Sequence, residues 1–217
     1  MKIVVTAGPT REPIDPVRFI SNRSSGKMGY AIAEACIVAG HDVTLISGPV
    51  AIAAPLNARL VKITTADELY EAVHAHAPSC DVLVMCAAVS DYKPVASATH
   101  KLEKQTSEFA LRLTPTRDIL ASLPHDDRRY LVVGFAAETH DVEASAQRKL
   151  MRKKCDMIVA NDVSASDSGM ESDENEVTIF FADGERDRVA RASKNVIARE
   201  LMKKIFLFAE KRLTKKS

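Results

Sequence analysis

Short apolar runs alternate with stretches of helical periodicity along most of the chain. The run "KIVVTAG" (2–8) ends in glycine, as a buried parallel strand does, and the apolar positions of 26–39 recur at helical spacing. Further strands are predicted at 42–48, 60–66, 80–89, 109–114, 130–138 and 157–162, and further helices at 67–77, from Arg117, at 141–154 and from Ser193. This alternation predicts an α/β, Rossmann-like fold, in which helices cover both faces of an open, mostly parallel sheet.

Two segments depart from the alternation. Residues 90–108 are polar and contain proline, which predicts a long flap, whereas Asp183-Gly184 predicts the turn of a β-hairpin over 176–190. We interpret residues 1–217 as a single domain that carries both segments. The hairpin has the consecutive apolar residues "IFF" (179–181), which simple strand alternation cannot bury on one face. At least one aromatic side chain is therefore expected to need cover, either from another subunit or from the final helix.

Composition excludes several classes of protein. The chain has 30 basic and 29 acidic residues, so its overall charge does not favour nucleic acid. Its apolar runs are too short for a membrane span, and no signal-peptide pattern opens the chain. Four scattered cysteines without a C-x-x-C pair indicate reduced core thiols, and the six histidines show no metal-ligand spacing. We expect a cytoplasmic protein with no metal site built from side chains.

Familiar nucleotide motifs are incomplete. The pair Gly26-Lys27 has Ser21 and Met28 where a phosphate-binding P-loop needs glycine and a hydroxyl residue. The turn after the first strand has Gly8 but lacks the remaining glycines of a dinucleotide fingerprint. Tyr92-Lys93 are adjacent, whereas short-chain reductases need Tyr and Lys one helical turn apart. These departures argue against an NAD(P)-dependent reductase, which stays as an alternative.

In an open parallel sheet, ligands bind beyond the carboxyl ends of the strands, here near 8–26, 86–104, 135–141 and 161–169. Ser24-Ser25-Gly26 precede a helix, where a phosphate or carboxylate could bind, although ordinary capping is equally consistent. Lys149 and Lys153 share one helix face and form either a triphosphate site or a solvated basic surface, and Lys101 with Lys104 could close over the same anion. Asn22 could hold an acyl oxygen or simply form a turn.

Six motifs then occur in one order: "GPTREPIDPVRFISNRSSGKMG", "CAAVSDYKP", "HKLEK", "TRDIL", "VGFAAET" and "ANDV". Together they closely resemble the phosphopantothenoylcysteine synthetase family, from residue 2 to about 200. The resemblance implies a Rossmann-like, homodimeric ligase whose bacterial members use CTP and Mg²⁺. Such an enzyme converts 4′-phosphopantothenate into an acyl-cytidylate, which L-cysteine attacks to give 4′-phosphopantothenoyl-L-cysteine. No residue in the sequence distinguishes CTP from ATP.

The resemblance also implies roles for individual residues. Asn22 and Lys101 match catalytic positions, and Asn22, Ala87, Ala88 and Asp91 match substrate-binding positions. The positions that match nucleotide-binding residues are Met85, Cys86, Ala87, Asp91, Lys101, Arg117, Asp118, Ile119, Leu120, Phe135, Lys149 and Lys153. The flap departs from the family pattern, because Glu103 replaces a lysine. A decarboxylase half, often fused to this domain, is expected as a separate partner or as a part outside this sequence. A non-catalytic regulatory subunit of such a decarboxylase is the remaining alternative.

Overall fold

An eight-stranded, mostly parallel sheet forms the centre of the computed structural model, which describes residues 1–104, 106–138, 141–162 and 173–214. The strands are β1 (Lys2–Ala7), β2 (Arg11–Pro13), β3 (Phe19–Ser21), β4 (Asp42–Ser47), β5 (Arg59–Lys62), β6 (Val82–Met85), β7 (Tyr92–Pro94), β8 (Leu113–Pro115), β9 (Leu131–Glu138), β10 (Met157–Asp162), β11 (Glu174–Phe181) and β12 (Arg186–Ser193). The helices are α1 (Lys27–Val38), α2 (Ala66–His76), α3 (Ile119–Ser122), α4 (Val142–Arg152) and α5 (Lys194–Thr214), with a 3₁₀ turn at Ala77–Ser79. Within the described ranges, no helix combines the length and the apolar character needed to cross a membrane.

Helices cover both faces of this sheet, as the alternating pattern predicts. Ile3 and Val5 of β1 pack in a core with α1 and α5, whereas Val4 between them packs in a second core with α2, α3 and α4. Because both faces are buried, the central strands have to be apolar at successive positions, and all four residues of β6 are buried. The predicted α/β fold class is therefore confirmed.

The strand order places a ligand-binding crevice between β1 and β6. Strands run in the order β12-β11-β10-β9-β6-β1-β4-β5, and the chain leaves β1 toward one side of the sheet before it crosses to β6 on the other side. Such a reversal opens a crevice at the carboxyl ends of the two strands. The two loops at this edge are joined, since the Ala88 amide donates to the Gly8 carbonyl at 2.9 Å and the Ala88 carbonyl accepts from the Thr10 amide at 3.2 Å.

Two small antiparallel ribbons lie outside the main sheet. One pairs β2 with β3 inside the loop 8–26, and the other pairs β7 with β8 on either side of the flap. The prediction of a sheet strand over 109–114 is therefore wrong: only Leu113 and Thr114 of that run are in a strand, and this strand pairs with β7. The apolar residues Phe109 and Leu113 are exposed, so the apolar pattern there does not reflect burial in the core.

The hairpin β11–β12 extends the main sheet. Its predicted turn is confirmed, since Gly184 adopts a φ of 89° and its amide donates to the Phe181 carbonyl at 3.1 Å. Ile179, Phe180 and Phe181 are all buried within the chain: the first and third join one core, and Phe180 joins the other. Of the two kinds of cover that the sequence leaves open, the final helix is present, since Phe181 packs against Phe208; no partner subunit is needed to bury these aromatics, because helices flank both faces of β11.

Helix α5 begins and packs largely as the sequence predicts. The Ser193 hydroxyl accepts from the Val196 amide at 3.4 Å, which is the expected cap. Ile197, Leu201 and Ile205 are fully buried, and the ring of Phe208 lies 5.4 Å from that of Phe181. The helical spacing of Val196, Ile197, Leu201, Ile205 and Phe208 predicts that all five face inward, but Val196 is exposed.

Candidate active site

A cavity of about 480 Å³ opens at the carboxyl edge of the sheet, beside the crevice between β1 and β6. Nearly all of the residues that the sequence nominates line it. They are Asn22, Met85, Cys86, Ala87, Ala88, Asp91, Arg117, Asp118, Ile119, Leu120, Phe135, Lys149 and Lys153. Lys101 does not belong to the described lining. Residues 163–169, which the sequence also places at this edge, lie outside the described part of the chain.

The first turn of α1 forms one wall of the cavity. Gly26 is the N-cap with a φ of 77°, a left-handed conformation that favours glycine, and it has no side chain with which to cap the helix. The hydroxyl groups of Ser24 and Ser25 accept from the amides of Gly26 and Lys27 at 3.3 and 3.5 Å. Both features considered from the sequence are therefore present: partial capping by serines and a helix N-terminus directed at a cavity.

Close packing fixes the position of this turn. A Cβ atom added at Gly29 would lie 2.6 Å from the Cβ of Ala7, well inside van der Waals contact. Only glycine lets α1 approach β1 this closely without displacement. Gly29, the second glycine of "SGKMG", is thus a packing residue that fixes this wall of the cavity.

Asn22 lies at the end of the ribbon β2–β3 and faces the loop after β6. Its side-chain Nδ2 donates to the Val89 carbonyl at 2.8 Å, which ties the side chain to the protein. An aspartate at this position would place a carboxylate oxygen against that carbonyl. The substitution Asn22→Asp would therefore disturb the loop as well as any ligand, and Asn22→Ala is the cleaner variant.

The loop after β6 is held by a buried threonine. The Thr6 hydroxyl accepts from the amides of Cys86 and Ala87, both at 3.1 Å. Burial raises the pKa of the Cys86 thiol to about 12, so this thiol stays protonated and is not a nucleophile at neutral pH. Cys36, Cys80 and Cys155 are buried, in agreement with the predicted core thiols.

Asp118 and Lys153 form an ion pair at another part of the wall. Asp118 also caps α3, since its Oδ1 accepts from the Ala121 amide at 3.1 Å. Burial lowers the pKa of Lys153, while the negative charge of nearby Asp91 acts in the opposite direction. The pair links α3 to the C-terminal end of α4, and both elements contribute to the cavity wall.

Arg117 lines the cavity, but its guanidinium is directed toward α2. It donates to Asp67 at 3.2 Å and to Glu71 at 3.0 Å, and it stacks over the Tyr70 ring at 3.7 Å from the ring centroid. The carboxylates of Asp67 and Glu71 thus neutralise the charge of this guanidinium within the chain. Any contact between Arg117 and a nucleotide would therefore involve its backbone rather than its guanidinium.

Lys101 is exposed on the flap, outside the cavity of its own chain. The next residue, Leu102, is held at both backbone groups: its amide donates to Asp15 Oδ2 at 3.1 Å, and its carbonyl accepts from Arg18 at 2.8 Å. Hydrogen bonding from Arg18 holds the pKa of the buried Asp15 well below its usual range. This clamp fixes one point of the flap directly beside Lys101.

Several polar residues of the wall are not nominated as site residues by the sequence analysis, among them Lys27, Asn175 and Lys194. Lys27 belongs to the rejected P-loop pair, and its Nζ forms an ion pair with Asp173 at 2.5 Å. Asn175 and Lys194 come from the two ends of the hairpin β11–β12. Both ends reach the carboxyl edge because β11 runs antiparallel to β10 and β12 returns to that edge. The turn at Asp183-Gly184 predicts that β12 runs antiparallel to β11, but it does not predict the direction of β11 relative to β10.

Charge dominates the chemistry of the cavity. Among the described lining residues, the basic side chains are Lys27, Lys149, Arg152, Lys153 and Lys194, besides Arg117, whose guanidinium is directed toward α2, and the acidic ones are Asp91 and Asp118. This excess of positive charge, together with the helix N-terminus, favours a polyanionic ligand. Within the described residues there is no cluster of three or more side chains able to bind a metal ion.

Fold and cavity together define a Rossmann-like α/β domain with a cationic cavity at its topological switch point. The chain belongs to the family of the DNA/pantothenate metabolism flavoprotein C-terminal domain, which matches residues 1–208. The coenzyme A biosynthesis bifunctional protein CoaBC of Vibrio vulnificus (strain CMCP6) is 46% identical over 206 residues, which cover 94% of this chain and 51% of that protein. The CoaBC of Bacillus subtilis (strain 168) is 45% identical over 204 residues, 94% of this chain and 50% of that protein. The chain thus spans about half the length of these relatives.

Solved structures agree with the family. The crystal structure of the C-terminal domain of CoaBC is 42% identical, with a TM-score of 0.82, and the match covers 97% of this chain and 96% of that one. A Cab2 variant in complex with phosphopantothenate-cysteine is 17% identical, with a TM-score of 0.80 and coverage of 99% and 88%. At that identity the second likeness concerns the fold alone.

Proposed function

We propose that this chain is a phosphopantothenate–cysteine ligase of coenzyme A biosynthesis. The observation that carries the proposal is the convergence of the family motifs on one cation-lined cavity at the switch point of the sheet. Its relatives are named for coenzyme A biosynthesis, and a protein of the same fold forms a complex with phosphopantothenate-cysteine. The finer elements of the proposal, CTP and an acyl-cytidylate intermediate, come from the family resemblance of the sequence.

The proposed reaction has two steps. In the first, the carboxylate oxygen of 4′-phosphopantothenate attacks the α-phosphorus of CTP, and the bond to the β-phosphate oxygen breaks so that pyrophosphate leaves. In the second, the amine of L-cysteine attacks the acyl carbon and loses a proton, and CMP leaves with the electron pair of the broken C–O bond. The protein supplies no nucleophile in either step, which agrees with the protonated thiol of Cys86.

The contribution of the protein is to bring two anions together. A carboxylate and a triphosphate repel each other, and the cationic wall with the α1 amides would stabilise both reactants and the charge that develops between them. Asn22, at the mouth of the ribbon β2–β3, would hold the acyl group during the second step. Removal of this contact by Asn22→Ala should slow the reaction with cysteine more than the formation of acyl-cytidylate, which rapid-quench analysis can separate.

Magnesium is part of the proposal as the partner of the nucleotide. The donor set fits an ion held mostly by phosphates and water, because Mg²⁺ in such sites commonly uses only one or two protein carboxylates. Asp91 is the cavity carboxylate suited to this role, since the ion pair with Lys153 engages Asp118. When bound, the ion would neutralise part of the phosphate charge.

Pyrophosphate release tests the proposal directly. The protein mixed with phosphopantothenate, cysteine, Mg²⁺ and CTP should release pyrophosphate and form phosphopantothenoylcysteine, and a parallel reaction with ATP determines the nucleotide preference. Cysteine omitted from the mixture should leave the acyl-cytidylate as the product. No release with either nucleotide, with or without a separate decarboxylase, would exclude the ligase.

A homodimer is also part of the proposal. Exposed apolar side chains occur on the two neighbouring ribbons: Val17 and Phe19 near β3, and Tyr92, Val95 and Leu113 near β7 and β8. A patch of this kind favours a protein contact. Since Lys101 lies next to these ribbons and outside its own cavity, we propose that the flap serves the cavity of a partner subunit.

Mixed dimers test this arrangement. Asn22→Ala and Lys101→Gln subunits should each be nearly inactive alone, but should regain activity on mixing if one cavity uses these residues from different chains. If both residues serve the same cavity from one chain, the mixture should stay inactive. Light scattering gives the mass independently, and an active monomer would contradict the shared site.

A further inference from the structure

The end of the cavity near α5 contains a basic corner formed by Lys27 and Lys194. Lys194 is the first residue of α5 and is only 7% exposed, although lysine normally keeps its charge in water. Its backbone amide donates to the Asp173 carbonyl at 3.0 Å, and the Asp173 carboxylate pairs with Lys27. The basic corner therefore joins the starts of α1 and α5 through one residue at the start of β11.

The electrostatics of the basic corner indicate a place for an anion. Burial lowers the pKa of Lys194, and repulsion from Lys27 lowers it further, whereas the negative charge of Asp173 acts in the opposite direction. Asp173 itself is exposed, with 84% of its side chain accessible, so water screens the attraction between its carboxylate and Lys27. A bound anion would relieve both the burial and the repulsion.

The position of the basic corner distinguishes its ligand from that of Lys149 and Lys153. Those two lysines lie at the C-terminal end of α4 beside Asp118, whereas Lys27 and Lys194 lie at the N-terminal ends of α1 and α5. Helix N-termini favour anions, and helix C-termini do not. The strongest anion of an elongated ligand should thus occupy the end near α1 and α5.

We propose that Lys194 and Lys27 bind the terminal phosphates of the nucleotide, the group that leaves as pyrophosphate. This inference rests on the proposed function, because it names the part of the nucleotide that this end of the same cavity holds. The nucleoside then extends toward α3 and α4. The two lysines hold these phosphates in the bound nucleotide as well as in the leaving pyrophosphate, so they contribute mainly to affinity.

Binding of inorganic pyrophosphate, compared with binding of CMP, tests the assignment. Lys194→Met keeps the apolar length of the side chain and removes its charge. Loss of one charged contact should weaken pyrophosphate and CTP binding by about ten- to a hundredfold, and CMP binding should stay unchanged. Lys194→Arg should keep most of the affinity. Lys203→Met, on the exposed face of α5, controls for the lost net charge.

A second variant covers the case in which Lys194→Met does not fold. Lys27 is partly exposed, with 39% of its side chain accessible, so Lys27→Met should fold and should show the same selective loss of pyrophosphate binding. Equal weakening of CMP and pyrophosphate would overturn the assignment, since it would indicate a general effect on the cavity. Unchanged pyrophosphate binding in both variants would also overturn it.

The outcomes also separate this inference from the ligase itself. If the wild-type protein catalyses the reaction but Lys194→Met and Lys27→Met bind pyrophosphate as tightly as it does, the basic corner alone is refuted. If the wild-type protein shows no ligase turnover but Lys194→Met weakens its pyrophosphate binding, the ligase is refuted and the anion site is kept. A wild-type protein that binds neither CTP nor pyrophosphate refutes both.

Discussion

The contact between α1 and β1 allows a sharp prediction about how helix position controls activity. Gly29→Ala adds a Cβ atom 2.6 Å from the Cβ of Ala7 and 3.0 Å from the Thr6 carbonyl oxygen. Carbon atoms pack best at about 3.5–4.0 Å, so α1 must retreat by roughly 1 Å at its first turn. Overpacking of this kind costs about 1–3 kcal/mol, and the higher helix propensity of alanine returns about 1 kcal/mol. The free energy of unfolding should therefore fall by only about 0–2 kcal/mol.

Activity should fall much more than stability does. The displaced turn carries Gly26 and Lys27 into the cavity wall, and a misplacement of about 1 Å can cost roughly a hundredfold in rate. Pyrophosphate release by Gly29→Ala should drop by about that factor, measured at a temperature well below its unfolding midpoint. Urea denaturation gives the stability of the same preparation.

Gly184→Ala is the matched control. Gly184 lies in the hairpin turn with a φ of 89°, and an added Cβ there meets no atom within 4 Å. The strained backbone should cost about 1–2 kcal/mol, similar to Gly29→Ala, but activity should stay at the wild-type level. If Gly29→Ala loses stability and keeps its activity, the position of α1 does not control the cavity, and the reasoning is refuted.

Three further predictions concern charge. Asp156→Ala removes the partner of the buried Arg128, which donates to Asp156 at 2.6 Å. The free energy of unfolding should therefore fall by about 3–5 kcal/mol, while ligase activity at low temperature persists. A loss below about 1 kcal/mol in urea denaturation would contradict a buried ion pair. Asp15 has a lowered pKa, so its stabilisation is present above about pH 4 and is lost as pH falls below that value, and Asp15→Asn should flatten the acid limb of a stability–pH curve. Lys153→Met leaves Asp118 unpaired at the proposed nucleotide site, so calorimetry should show CMP binding weakened by about tenfold. Equal affinity would remove Lys153 from the site.

The sequence predicts the parts of the fold that depend on local pattern. Apolar runs such as "VLVM" and the helical period of α1 fix the strands, the helices and the carboxyl edge at which Asn22, Asp91 and Asp118 meet. The run "FALRLT" misleads because its apolar residues lie on a ribbon outside the sheet, where they remain exposed. Periodicity reports alternation of side chains but does not identify the surface that they contact.

The position of Lys194 shows a different limit of prediction from sequence. Its place in the cavity depends on the direction of β12, which in turn depends on the pairing of β11 with β10. That pairing is a contact between distant segments, and no local pattern encodes it. The buried Phe180 has the same origin, because β11 becomes a covered strand only when it pairs with β10 and α4 packs on the face that bears Phe180.

The two groups of lysines should act at different stages of the proposed reaction. Lys194 and Lys153 belong to the cavity wall, held by the core that supports α5 and α4, so they can contact the nucleotide in the ground state. Such contacts raise affinity, whereas only an interaction gained later raises the rate of the chemical step. Lys101 lies outside the cavity of its own chain, beside the clamped Leu102; in the proposed dimer it would serve the partner subunit's cavity and contact the nucleotide only as the reaction proceeds. Lys101→Gln should therefore lower kcat for acyl-cytidylate formation by about a hundredfold and leave the Kd of CTP within about twofold of wild type. Equal losses in Kd and kcat would mean that Lys101 already contacts the nucleotide before the reaction begins.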